Sequence, residues 1–337
     1  MLGFYFFENL LKEIRKMFSF GSIQSKKSKN IPHTYLFLLL PFLFFYGCHD
    51  GGLTLENSSD NSTTAGSGGG GIAGRIISLN GGAINSSGEI FLIAKEAPDV
   101  TNPMVPMVTK LVKYSASGSL DSTFGTNGEL DVDSILPSQN YYYPPVIDSS
   151  GNFYTAYNDA GTSTFHLLKF DSSGNLDSNF GTNGKKTITG FVLSGFDVNA
   201  SKIAVVGYQG SGYIAQLSSS DGSFDTGFDT TNSDGIVDFK VGGVDTAAYE
   251  VSYDSNGKIV VGGTFGGNNT TKVFIGRFKS NGDLDNTTFD SSDDGFYTVD
   301  NTTLSNPNGA TGVGIDGLAV TSDDKIFLGI SSNFPAS

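Results

Sequence analysis

Gly118-Ser-Leu-Asp-Ser-Thr-Phe124-Gly, Gly174-Asn-Leu-Asp-Ser-Asn-Phe180-Gly, Gly222-Ser-Phe-Asp-Thr-Gly-Phe228-Asp and Gly282-Asp-Leu-Asp-Asn-Thr-Thr-Phe289-Asp are four versions of one turn. They recur at intervals of 56, 48 and 60 residues, the period of a supersecondary unit that must stack on its neighbours to bury its apolar faces. Glycine and Asp supply turn chemistry, the first by tolerating positive φ and the second by accepting backbone N–H groups. Leu and Phe in the same eight residues pin the turn to a core.

Working outward, each turn follows a strand-like run with a second run further upstream. Ser149-Ser-Gly-Asn-Phe-Tyr-Thr-Ala-Tyr157 reads as a turn and a strand, Thr164-Phe-His-Leu-Leu-Lys-Phe170 as the next strand, and Lys186-Thr-Ile-Thr opens another beyond the turn. The fourth copy repeats the order with Ser255-Asn-Gly-Lys-Ile-Val-Val-Gly-Gly263, Lys272-Val-Phe-Ile-Gly-Arg-Phe278 and Phe296-Tyr-Thr-Val299. β-Branched and aromatic runs between Asp/Ser/Asn/Gly turns are strand and hairpin signals, and no stretch after Gly71 carries a helical period. About four short strands fit each period. The expected fold is all-β: a β-propeller or propeller-like array of four to five irregular repeats of four-stranded blades.

A fifth copy, Ser322-Asp-Asp-Lys-Ile-Phe-Leu-Gly-Ile330, has no turn sentence after it, and the strand near Arg75-Ile-Ile-Ser-Leu79 has none before it. We expect these two ends to share one blade, a closure that removes exposed sheet edges; a longer array cut short would look similar.

Taken together, Gly257-Lys-Ile-Val-Val-Gly-Gly263, Arg277-Phe278 and Gly282-Asp-Leu-Asp285 resemble the delta-60 repeat family of bacterial exported proteins. The resemblance covers about residues 74–330. It implies a propeller-like β fold and no defined activity. The third copy lacks the glycine of the Gly-Lys pair, and the fourth turn has one extra residue before Phe289.

The amino-terminal part is of another kind. Residues 1–47 hold six Lys or Arg against two acids, and Lys26-Lys27-Ser-Lys29 precedes the apolar run Tyr35–Tyr46. That run is shorter than the roughly 20 residues of a spanning helix, so residues 1–47 read as a signal peptide, with Met17 as the expected true start. Gly47 and Cys48, the only cysteine, follow at once. The junction resembles a bacterial lipobox, although Phe45 and Tyr46 stand where Leu and a small residue are usual. It implies cleavage before Cys48 and palmitate-type acylation of a lipoprotein held at a membrane of the bacterial cell envelope. A lone cysteine excludes an intrachain disulfide. Residues 48–72, rich in Gly, Ser, Thr and Asn, cannot bury enough apolar surface to offset ordering and read as a flexible tether, leaving 73–337 as the repeat domain.

The chain carries a net charge of −14, and without residues 1–47 the 14 basic and 32 acidic residues give −18. That surface repels phosphate backbones and argues against nucleic-acid binding. Of three histidines, His33 and His49 fall outside the repeats, leaving His166 alone in a strand. One histidine builds neither a zinc site nor a Ser-His-Asp triad, so we expect no catalytic residue and no resident cofactor. Gly207-Tyr-Gln-Gly-Ser-Gly212 has the composition of a phosphate loop but joins two strands and lacks both lysine and helix. Asp290, Asp293 and Asp294 offer carboxylates to calcium, but without the spacing of a formed calcium loop. The preferred reading makes Asp121, Asp177, Asp225 and Asp285 caps of turn N–H groups, with Phe124, Phe180, Phe228 and Phe289 as their core anchors.

Tyr141-Tyr142-Tyr143-Pro-Pro is the one unusual candidate for recognition, since rings there could stack on a sugar or a peptide; packing between blades is the blander use. The expected function is a non-enzymatic, lipid-anchored scaffold that binds a protein or glycan partner. Its rival is a propeller hydrolase, such as a lactonase or glycosidase, with carboxylates at a central channel. A structural surface protein is the third reading.

Overall fold

The computed structural model describes residues 76–96, 107–133, 135–136, 142–266, 272–286, 289, 295–299 and 312–333. The expectations for the signal peptide, Met17, Cys48 and the tether, and for Tyr141, Asp290, Asp293 and Asp294, lie outside the described residues.

Every described element is a β-strand. The first sheet contains β1 (Ile76–Ile84), β2 (Ile90–Glu96), β3 (Val108–Tyr114) and β4 (Glu129–Asp131). The second contains β5 (Val146–Ile147), β6 (Phe153–Asn158), β7 (Thr164–Phe170) and β8 (Lys185–Thr189), and the third β9 (Val192–Val198), β10 (Lys202–Tyr208), β11 (Gly212–Ser218) and β12 (Ile236–Phe239). The fourth is built from β13 (Thr246–Tyr253), β14 (Ile259–Phe265), β15 (Lys272–Phe278) and β16 (Phe296–Val299). Last comes a two-stranded sheet, β17 (Gly312–Val320) with β18 (Ile326–Asn333). All pairings are antiparallel between sequence neighbours, so each full sheet is a simple meander. This is a propeller-like array of blades.

The core lies between sheets. One buried cluster joins Phe91, Ile93 and Leu111 of the first sheet to Phe153, Leu168 and Phe170 of the second. Another joins Tyr154, Phe165 and Leu167 to Ile203, Val205 and Leu217, and a third joins Val206 and Ile214 to Ile259, Val261 and Phe274. The fourth, Val273, Val299 and Val313, seats the two-stranded sheet. In the second, third and fourth blades the second strand is apolar on both faces because one face meets the preceding blade and the other the following one. This explains its continuous apolar run where a half-exposed sheet would alternate.

The ends of the array correct one expectation. β1 is the first strand of its own sheet, paired with β2, and β17 pairs with β18. Among the described residues the two ends therefore share no sheet.

Candidate functional site

Because each blade is a meander, its turns between strands one and two and between strands three and four lie at one end, and the remaining connections lie at the other. The first end is repetitive. Between strands one and two a side-chain oxygen of Asn85, Asp148, Asn199 or Asp254 accepts N–H groups of the turn, as in Ser150 N to Asp148 Oδ1 at 2.9 Å. Between strands three and four sit the turns of the repeated motif.

In those turns the Asp has two partners. Its Oδ1 accepts the N–H two residues on (Thr123 to Asp121 at 3.0 Å, Asn179 to Asp177 at 3.1 Å, Gly227 to Asp225 at 3.2 Å). Its Oδ2 meets a cation from an adjacent strand: Lys113 for Asp121 at 2.9 Å, Lys169 for Asp177 at 2.8 Å, Lys202 for Asp225 at 2.7 Å. Asp285 takes both Arg277, at 2.9 Å, and Lys258, at 2.8 Å. In the third blade Gln216 stands where the others have Lys113, Lys169 or Arg277, and the cation comes from strand two instead. The Thr123 hydroxyl and the Lys113 ammonium hold Asp121 down at about 2, and Lys169 and Lys202 lower Asp177 and Asp225. Asp121, Asp177 and Asp225 thus cap their own turns and also hold an ion pair. Nothing local announces it, because the cation lies up to 27 residues away in sequence, as Lys258 does from Asp285.

The Phe and Gly of successive turns interlock. Phe124, Phe180 and Phe228 are at most 1% exposed. A Cβ on Gly174 would lie 3.0 Å from the Phe124 ring, one on Gly222 3.1 Å from the Phe180 ring, and one on Gly282 1.9 Å from the Phe228 carbonyl oxygen. Gly174, Gly222 and Gly282, all at positive φ, thus each seat on the Phe of the preceding blade. Gly181 N donates to Asp221 O at 2.9 Å across the same seam.

Phe289 is the exception and corrects the anchor role expected of it. It is only half-buried, with the Arg277 guanidinium 4.9 Å from its ring centre. Its turn has one residue more than the other three.

The other end carries connections that differ from blade to blade, among them 132–145, 159–163, 190–191, 209–211 and 240–245. Tyrosines gather here. Tyr142 is buried and meets Tyr157 edge-on at 6.3 Å, and Tyr143 donates its hydroxyl hydrogen to Leu193 O while accepting one from Asn158 Nδ2 at 2.8 Å. Burial pushes the Tyr143 hydroxyl up to about 12. Tyr142 and Tyr143 pack between blades, with their rings engaged by protein. His166 is likewise internal, with Nδ1 2.9 Å from Thr187 Oγ1, Nε2 3.0 Å from Asp159 Oδ2 and its ring against Tyr157. The ring that does reach solvent at this end is Tyr208, 39% exposed and edge-on to Tyr249 at 6.0 Å. It is the last residue of β10, within the Gly207–Gly212 stretch, and pairs with Gly212 of β11.

The first strands of the blades supply a feature the sequence analysis missed. β1, β9, β13 and β17 each carry a bulge, and the residue after it is Gly81, Gly195, Glu250 or Gly317. Neighbouring backbones come close there: a Cβ on Gly81 would lie 2.7 Å from Pro144 Cα, and one on Gly195 2.6 Å from Tyr249 O. Glu250 places a carboxyl where the other bulges have none. Burial, with Asp316 beside it, pushes that carboxyl up to about 7. Asp197, also on a first strand, is raised by burial although it accepts the Tyr253 N–H at 2.8 Å. A Glu standing where the aligned strands have Gly is a signal the sequence contains, readable only once the first strands are located. Among the described residues no three His, Cys, Asp or Glu side chains are grouped as metal ligands.

A family model described as a domain of unknown function (DUF5122) beta-propeller matches residues 255–287. No curated protein matches the chain. Solved structures that resemble it include a DUF4623 family protein from Bacteroides eggerthii, at 10% identity and TM-score 0.38 over 76% of this chain and 56% of that one. A bifunctional GH43-CE protein from Bacteroides eggerthii matches at 12% identity and TM-score 0.36, over 74% of this chain and 30% of that one. MPT-4, a mannose phosphorylase from Leishmania mexicana, matches at 8% identity and TM-score 0.36, over 77% and 80%. The chain spans about half and about a third of the lengths of the first two.

Proposed function

We propose that this chain is a non-enzymatic binding scaffold of the bacterial envelope, of the delta-60 repeat kind, held to a membrane through an acylated Cys48. Its partner is a protein or glycan. The observation that carries the reading is the division of labour between the two ends of the blades. The repeated Phe and Gly are consumed in joining blade to blade and the repeated Asp in fixing its own turn, whereas the opposite end presents unlike loops and an exposed ring, Tyr208. A rim of unlike loops on a rigid framework is the usual arrangement for recognition.

Two experiments test it. Intact-mass and peptide analysis of the membrane-extracted protein is expected to find Cys48 as an acylated amino terminus; a free Cys48 thiol, or cleavage elsewhere, removes the anchor. Binding of the purified protein to glycan arrays and envelope extracts is expected to fall on Tyr208→Ala and to survive Ser172→Ala at the repetitive end. Equal binding by both variants would place recognition elsewhere, and turnover of a glycoside or lactone panel would favour the enzyme.

A further inference from the structure

At the end away from the repeated turns, the second and third blades share a continuous uncharged surface. Its parts are Ala160-Gly-Thr-Ser163, Thr189-Gly190 and Tyr208-Gln-Gly-Ser211, all exposed except the half-buried Ser211. They adjoin one another: Gly190 N donates to Ser163 O at 2.8 Å, and Tyr208 pairs with Val192, two residues on from Gly190. Charge returns at the border, in Asp159, 3.0 Å from His166 Nε2, in Asp238 of β12, and in Lys240 and Asp245, 3.5 Å apart.

The surface is also low. A Cβ on Gly161, Gly190 or Gly210 would meet nothing within 4 Å, whereas Gly174 and Gly222 at the repeated turns lie against the preceding blade. Tyr208 stands out of this surface, fixed between Val192 and Gly212 and edge-on to Tyr249. The hydroxyls of Tyr143 and Tyr213, the tyrosines beside it, donate to Leu193 O and Val192 O. Among the described residues the Tyr208 hydroxyl has no hydrogen-bond partner.

We propose that this surface binds a neutral glycan, with one sugar ring of the glycan laid on Tyr208, a site that rests on the chain being a binding scaffold and narrows its partner to one class. A sugar presents a C–H face to an aromatic ring and hydroxyls around its edge, and Thr162, Ser163, Gln209 and Ser211 offer uncharged donors and acceptors to those hydroxyls. Tyr208 is held in a strand, so little freedom is lost when a ligand stacks on it. An acidic glycan finds no cation in this stretch and is repelled by a chain of net charge −14. A protein partner ordinarily buries about 800 Å² on each side around a desolvated apolar core. Here the apolar feature is one ring among hydroxyl-bearing loops.

The test uses the full chain in a mild detergent. The sequence has no tryptophan, so Tyr208→Trp puts a lone indole reporter at the site. Its fluorescence is titrated with dextran, laminarin, mannan and xylan as neutral probes, and with polygalacturonate and chitosan oligomers as charged ones. Affinity electrophoresis through gels holding the same polysaccharides compares the unaltered protein with Tyr208→Ala and Tyr208→Phe. Expected are a saturable fluorescence change with at least one neutral probe, equal at low and high salt because no ion pair forms, and retardation of the unaltered protein by that probe. Tyr208→Ala is expected to weaken the affinity at least about tenfold, as loss of an aromatic anchor does, with a melting temperature like the parent's because the side chain is exposed. Tyr208→Phe, which keeps the ring, is expected to fall in between. No response to any neutral probe, binding confined to the charged polysaccharides, or neutral-glycan binding that survives Tyr208→Ala would overturn the proposal. Capture of an envelope protein through Tyr208 without neutral-glycan binding would overturn it and leave the scaffold standing. Release of reducing ends from a bound neutral probe would remove the non-enzymatic scaffold and leave the site.

Discussion

Glu250 provides the sharpest quantitative prediction, because its position on β13 couples stability to pH in a direction opposite to that of the turn aspartates. Its carboxyl titrates near 7 in the folded chain against 4.5 as an ordinary glutamate. A carboxyl whose folded value is raised binds more protons folded than unfolded between those two values. Folding stability is therefore full below about 4.5, falls as pH rises, and has lost its whole increment above about 7. At 1.36 kcal/mol per unit the loss is at most about 3 kcal/mol. Glu250→Gln keeps the size and polarity of the group and removes the ionisation. Urea unfolding of both proteins from pH 5 to pH 8, compared as a double difference, cancels every other group that titrates in this range. The variant is expected to gain on the parent progressively, ending about 2–3 kcal/mol more stable at pH 8, with similar stability at pH 4.5. A gap that does not change with pH would show that Glu250 ionises freely, and a variant less stable at pH 8 than at pH 5 relative to the parent would show that the carboxylate has a cationic partner. Either result would refute the argument from burial and from Asp316.

Three further outcomes follow from the turns. Phe180→Ala empties a fully buried position in the cluster shared by the second and third sheets and is expected to cost about 3–5 kcal/mol in chemical denaturation; a loss below about 1 kcal/mol would show that the turn ring is not an anchor. Gly222→Ala, at φ +70° with its Cβ set against Phe180, is expected to cost more than Gly210→Ala, at φ +78° with nothing near its Cβ. Both bear the left-handed strain of about 1–2 kcal/mol, so equal losses would mean that the seam yields freely. Lys169→Met removes the cation beside Asp177 and is expected to cost about 1–3 kcal/mol at neutral pH. Because Lys169 lowers the folded titration of Asp177, its stabilisation is present above the ordinary Asp value near 3.8 and is lost as pH falls through the folded value. The gap between parent and Lys169→Met should accordingly close in acid, and a gap constant down to pH 2 would assign the loss to packing.

The parts of this molecule that were legible in its sequence are those whose causes are local. Thr164–Phe170, Lys272–Phe278 and Phe296–Val299 are strands over the residues their composition indicates, because apolar runs between turn residues leave a short segment few alternatives. The turn glycines and Asp caps were likewise readable, since a positive φ or an accepted N–H two residues on is settled within the turn itself. The first strands of the third and fourth blades were not located: Val192–Val198 and Thr246–Tyr253 carry bulges and mixed faces that interrupt the period on which strand reading depends.

Everything that involves a neighbouring blade was decided by tertiary structure. The sequence by itself determined a repeated, all-β, turn-rich chain of blade-sized units. Only the folded and stacked sheets decided that Gly222 seats on Phe180, that Lys202 of the same blade replaces the cation missing at Gln216, that Tyr142 and Tyr143 turn inward, and that Phe289 and Phe327 are left uncovered. The physical reason is the range of the forces involved. Backbone sterics and side-chain caps act over two to four residues, whereas burial and ion pairing depend on which atoms come within a few ångströms after the chain has travelled a full repeat. Glu250 shows the difference most plainly: its residue type is ordinary, and its chemistry comes from burial at a bulge position where the aligned strands have glycine.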